Sequence, residues 1–137
     1  VIDYDAILER LKQLAAQHVI GEIAFDRWGA TRISTQLTDA GFTMVEFGQG
    51  YASMSAPTKE LLRLVLGRGI GHGGNPILRW MADNVTVEQD AAGNVKPSKG
   101  KSREKIDGIV AAIMGLDRAL RRQHGASVYE GRGIVTL

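Results

Sequence analysis

Two short apolar runs separated by a helical stretch constrain this chain most. Val19-Ile20-Gly21-Glu22-Ile23-Ala24-Phe25-Asp26 is mostly apolar and rich in β-branched residues. Phe42-Thr43-Met44-Val45-Glu46-Phe47 alternates in polarity. Both read as strands, the first of them buried and ending at Asp26. Between them, Ile33 and Leu37 lie on one face of a helix expected over 30–40, with Gly41 as its stop. Strand, helix and strand in this order predict a parallel pair in an α/β layer. Two strands alone make a poor core. The pattern therefore predicts more strands upstream, or a partner along an open sheet edge that invites self-association.

The remaining chain alternates helices and turns. Residues 4–17 place Ile7, Leu8, Leu11 and Leu14 at helical spacing, with Asp3 or Asp5 as cap. Ser55-Ala56-Pro57 predicts a helix start, with Ser55 capping, Pro57 in the first turn, and Leu61, Leu62, Val65 and Leu66 as its apolar stripe. Five glycines in the eight residues 67–74 predict irregular backbone. A short helix from Asn75-Pro76 to about Ala82 is expected to bury Trp80. Residues 85–89 and 95–96 read as hairpin arms around the turn 90–94. The last helix is expected over 103–123, capped by Ser102, with Ile106, Ile109, Val110, Ile113, Leu116 and Leu120 inward. The tail from His124 carries no assignment.

Composition removes several classes. The 137 residues fit one domain with a core, 44% of them apolar and 23% charged. Without cysteine, disulfides and thiolate metal sites are excluded, and a reducing compartment fits. No apolar run approaches ~20 residues, so no membrane partner is expected. The first residues lack signal-peptide character and an initiator Met, which fits a processed product or an excised piece. No Gly-Lys-Ser/Thr follows the glycine-rich run, so it is not a nucleotide loop, and no serine sits in a nucleophile elbow. The histidines at 18, 72 and 124 lack ligand spacing, and His72 reads as a loop histidine with a structural or solvent role.

Two carboxylates and one basic run could carry chemistry. Asp26 ends a strand, where α/β sheets bind ligands, and suits a hard divalent cation. It equally suits a turn into the next helix, and position alone leaves both open. Asp107 borders the apolar face of the last helix, because residues 107, 110, 111 and 114 share one side. It would serve either as a ligand or as an acid complementing the helix dipole. Lys96, Lys99, Lys101, Arg103 and Lys105 fall within ten residues, although the net charge is only +2. Such a run contacts phosphates or is simply a solvated loop.

Four blocks, in order, resemble the nuclease half of the large terminase subunits of tailed bacteriophages. They are Ile23-Ala24-Phe25-Asp26-Arg27-Trp28; Phe47-Gly48-Gln49-Gly50 with Ser53 to Glu60; His72 to Asn84; and Lys105-Ile106-Asp107-Gly108-Ile109-Val110-Ala111-Ala112-Ile113-Met114. The resemblance implies an α/β, RNase H-like mixed sheet flanked by helices. It implies a nuclease that cuts concatemeric viral double-stranded DNA during packaging, with two Mg²⁺ or Mn²⁺ ions held by acids. Asp26 and Asp107 carry over as metal carboxylates and catalytic residues, and are then expected to approach each other. The basic residues Lys99, Lys101, Arg103 and Lys105 would hold DNA. A small terminase subunit and a portal protein would be partners, in the cytoplasm of an infected or lysogenic bacterial host.

One departure from the family pattern stands out. An earlier strand bearing a central aspartate is expected but not found, since Asp3 and Asp5 precede a helix. The chain thus reads as the C-terminal part of the nuclease domain, without its first strands or the ATPase half, and impaired as it stands. A non-catalytic DNA- or protein-docking piece, and another RNase H-like nuclease such as a resolvase, are the alternatives.

Overall fold

Asp3 opens the first helix, accepting the Ala6 backbone N–H at 3.0 Å, as its place before an amphipathic run predicts. The computed structural model describes residues 2–125 and 135–137. They belong to two compact units, Val1–Phe47 and Gly48–Leu137.

In the first unit, α1 (Tyr4–Gln17) precedes β1 (Ile23–Asp26), α2 (Thr31–Asp39) and β2 (Met44–Phe47). β1 and β2 pair in parallel from Ile23↔Met44 to Asp26↔Phe47, as strand–helix–strand order requires. β1 is shorter than expected. Its pairing partner starts only at Met44, so residues 19–22 have no ladder to join, and Val19 is 99% exposed. α2 ends as Gly41 predicts. Gly41 takes φ +95°, its N–H reaches Thr38 O, and Phe42 N–H reaches Leu37 O, both at 3.0 Å. These two bonds satisfy the last helical carbonyls.

The second unit holds α3 (Tyr51–Leu66), β3 (Ile70–Gly71), α4 (Pro76–Asn84), β4 (Val87–Gln89), β5 (Val95–Pro97), α5 (Asp107–Gly125) and β6 (Val135–Thr136). β4 and β5 form the expected antiparallel hairpin, and β3 pairs in parallel with β6. The strands described make three two-stranded sheets. α5 packs on α3 and α4, and α3 packs on β5. The core is Met54 and Leu64 of α3 with Ile106, Ile109, Val110, Ile113, Met114 and Leu116 at and along α5. Leu120, expected among them, is half-buried.

Three expectations need correction here. α3 starts at Tyr51, so Pro57 lies inside the helix and Ser55 is not its cap. Instead Ser55 is buried and its Oγ accepts the Val95 N–H at 3.1 Å, fastening α3 to β5. The α3 stripe is also buried over only part of the helix: Leu62, Val65 and Leu66 near its end are exposed while Met54, Pro57, Thr58 and Leu64 are buried. Ser55 and Thr58 lie on the same side of the helix as Leu62, Val65 and Leu66, so that side is covered over the first turns of α3 and bare over the last. Trp80, expected in the core, is 45% exposed. α4 presents Leu78 and Met81 to Gly108 of α5, which leaves the indole outward. The start of α4 follows prediction, with Asn75 Oδ1 accepting the N–H groups of Ile77 and Leu78.

Ile113 is 1% exposed and Leu66 76%. Ile113→Ala should therefore cost about 2–5 kcal/mol in urea unfolding, and Leu66→Ala within about 0.5 kcal/mol. The hairpin should weaken in acid. A hydrogen bond from Lys96, and secondarily Ser98, holds the Glu88 carboxyl below the usual range. The Asn94 amide, helped by backbone N–H groups of Asn94 and Ala92, does the same for Asp90. A lowered folded value stabilises fully above the unfolded value of about 4 and is lost as pH falls through the folded one. Amide exchange in β4 and β5 should accelerate below about pH 4, beyond the intrinsic rate, and Glu88→Gln with Asp90→Asn should flatten that dependence.

Candidate functional site

Asp26 is the last residue of β1 and pairs with Phe47. The parallel ladder fixes its backbone, and the carboxyl end of the pair is where the chain turns away. The half-buried side chain accepts the Trp28 N–H through Oδ1 at 3.2 Å. This is the turn-forming role that position allowed. One oxygen in a local bond leaves a carboxylate still able to bind a cation. Beyond it, Arg27 lies 5.4 Å over the Trp28 ring, Trp28 is 78% exposed and Gly29 takes φ +75°. Sequence reasoning gave Arg27 and Trp28 no role. An aromatic placed just after a strand-end acid is the available signal.

Asp107 is the first residue of α5, not a residue one turn inside it. Ser102 does not cap this helix. Its Oγ accepts the Thr86 N–H at 3.0 Å and donates to Ser98 O at 2.6 Å. Ser98 Oγ also accepts the Lys101 N–H at 3.3 Å, Ser98 N–H reaches Thr86 O at 2.8 Å and Arg103 N–H reaches Asn84 O at 3.3 Å. The basic segment is thus pinned to the hairpin and the end of α4. It cannot join α5 before Ile106, whose carbonyl accepts the Val110 N–H.

That pinning brings Lys99 and Asp107 together, with Nζ 3.4 Å from Oδ1. The side chains are 55% and 67% exposed, so the pair is worth at most about 1 kcal/mol. Around it, Lys99, Ser102, Arg103, Glu104, Lys105, Ile106 and Asp107 line an open cleft of ≈430 Å³. Lys101, Arg103 and Lys105 are exposed. Lys96, by contrast, is held inside the unit, 3.2 Å from Glu88 and 5.0 Å over the Tyr51 ring. His72 has the structural role expected of it, accepting the Gly74 N–H through Nδ1 at 3.1 Å.

Among the described residues, no three His, Cys, Asp or Glu side chains cluster as a metal site. Asp26 belongs to the first unit and Asp107 to the second. The donor chemistry nevertheless fits a hard cation. Mg²⁺ is commonly held by one or two carboxylates, with waters and substrate phosphates completing its shell. Asp107 already attracts one cation, and an exposed ammonium is a displaceable one.

Asp3 caps α1, accepting the Ala6 backbone N–H through Oδ1. No described helix is long and apolar enough to cross a membrane.

Residues 1–123 match the family model of the terminase large subunit endonuclease domain, a match that spans both units. The chain is 39% identical over 122 residues to Protein YmfN of Escherichia coli K12, covering 87% of this chain and 27% of that protein. It is 33% identical over 120 residues to the large terminase subunit of Enterobacteria phage HK97, covering 86% and 24%. The crystal structure of the HK97 large terminase superposes with a TM-score of 0.77 at 33% identity, over 85% of this chain and 25% of that one. The chain therefore spans about a quarter of the length of these relatives. With its mixed α/β architecture of helices and small sheets, it belongs to the terminase large subunit endonuclease domain family.

Proposed function

We propose that this chain is the C-terminal part of a single RNase H-like nuclease domain to which both units belong, and that it serves the divalent-metal-dependent cleavage of concatemeric viral DNA during packaging. The observation that carries this reading is the family match running through Asp26 and Asp107, with Asp26 at the carboxyl end of a parallel strand. Both aspartates are proposed as catalytic metal carboxylates for two Mg²⁺ or Mn²⁺ ions. When bound, such ions activate water and stabilise the leaving oxygen. The protein's part is to present oxygen donors on rigid backbone: the end of a ladder for Asp26, and the start of a helix anchored by buried Ile106 and Ile109 for Asp107. Lys99, displaced from Asp107, would join Lys101, Arg103 and Lys105 on the DNA backbone, where cations fix register without reading sequence. Whole-protein partners, by this reading, are duplex DNA, a small terminase subunit and a portal protein. The place of action is the cytoplasm of an infected or lysogenic bacterium. The second edge of the β1–β2 pair is proposed to take a further strand or a second copy.

Asp26→Asn keeps an oxygen for the Trp28 N–H and removes only the charge. In a form extended upstream to the length of its relatives, Asp26→Asn and Asp107→Asn should each lower manganese-dependent plasmid cleavage on the order of 100-fold or more, with circular dichroism unchanged. Cleavage at the original rate in both variants would sink the assignment. Neutralising Lys101, Arg103 and Lys105 together should weaken duplex binding and reduce the salt slope by roughly 2–3, because each phosphate a cation neutralises releases about one condensed counterion. Fluorescence anisotropy between 50 and 200 mM salt, roughly the range over which such slopes are measured, reads the effect.

A further inference from the structure

We propose that Arg27 and Trp28 form a stacking contact for an unpaired DNA base beside Asp26. The proposal rests on the nuclease reading above and adds a ligand-binding element to it. Trp28 is the more exposed of the two tryptophans, at 78% against 45% for Trp80. An indole this exposed forgoes the large gain that burial of so big an apolar ring would bring. The backbone that carries the ring is also fixed. Asp26 Oδ1 accepts the Trp28 N–H at 3.2 Å, and Gly29, in the left-handed region at φ +75°, turns the chain away after it. Trp28 is therefore set two residues from the carboxylate proposed to bind metal, by a bond to its backbone N–H.

The Arg27 guanidinium lies over the ring at 5.4 Å from its centroid. It places positive charge on one face and leaves the rest of the ring open. Cation and aromatic side by side match a nucleotide, with a phosphate for the guanidinium and a π-face for the indole. A neutral apolar protein surface would have no use for the cation, so charge complementarity favours DNA. Within an intact duplex both faces of each base are already stacked. The ligand chemistry is therefore a base that has left the stack, at a strand end, a gap or a locally opened step.

The chain has two tryptophans, so Trp80→Phe leaves Trp28 as the sole indole reporter. Titration of that variant with a single-stranded thymidine oligonucleotide should quench its emission saturably, and a blunt duplex of equal length should quench it less. In parallel, anisotropy of a labelled single strand should show about tenfold weaker binding for Trp28→Ala, with substantial recovery in Trp28→Tyr. Arg27→Gln should reduce the single-strand salt slope by about 0.7. Binding seen by anisotropy with no change in Trp28 emission overturns this contact while leaving the nuclease reading intact. Equal quenching by single strand and duplex overturns base stacking. Emission that responds to added protein concentration but not to DNA assigns the ring to a protein surface and overturns the proposal. Absence of DNA binding in every variant and in the unsubstituted chain overturns both readings together.

Discussion

The packing of α5 against α3 and α4 is the constraint on which the larger unit depends. Ile106, Ile113 and Leu116 are almost wholly buried, and burying each contributes roughly 1.5–3 kcal/mol. The helices approach so closely that a Cβ on Gly108 would come within 2.7 Å of Met81 Sδ. With Ile106 locked beneath it, Asp107 has to stand at the rim at the first position of the helix. The serine bonds of the preceding segment then decide which cation meets it. Sequence spacing sets the buried face, the buried face sets the helix start, and the helix start sets the carboxylate.

The smaller unit follows a different logic. Its order comes from a parallel ladder of four residue pairs closed by the glycine at the end of α2. Among the described residues no third strand extends this pair, and parallel sheets are ordinarily covered and extended. Relatives in which the matched segment is only 27% and 24% of the length fit that reading. Asp26 owes its fixed position to this ladder and its side-chain orientation to the turn at Trp28. Turn formation and metal binding were alternatives at the level of sequence. In the structure they are compatible, because the turn engages one oxygen of two.

Periodicity and capping chemistry made most elements legible. The β1–α2–β2 order, the Asp3 and Asn75 caps, the Gly41 stop and the hairpin turn all rest on local rules that tertiary contacts leave in force. What misled was a helix face that is covered along only part of its length. Leu62, Val65 and Leu66 are spaced like a core stripe and share a side with buried Ser55 and Thr58, yet that side is covered only over the first turns of α3. Pro57 looked like a helix start because a first turn is where proline costs least, but the hairpin packing and Ser55–Val95 bond carry the helix through it. Ser102 resembled a cap because its hydroxyl is bonded to backbone, though to the loop and not to the helix. The two aspartates were legible as candidates, and Lys99 beside Asp107 was not, since an ion pair between a loop and a helix start has no sequence period.

The central claim is that the carboxylates at 26 and 107, proposed as ligands, each contribute to divalent-metal binding. Manganese binding followed by electron paramagnetic resonance of the free aqueous ion, with duplex DNA present, tests it without relying on turnover. Asp26→Asn and Asp107→Asn should each weaken binding about tenfold or more. Titrations of both single variants that superpose on the unsubstituted protein would contradict it.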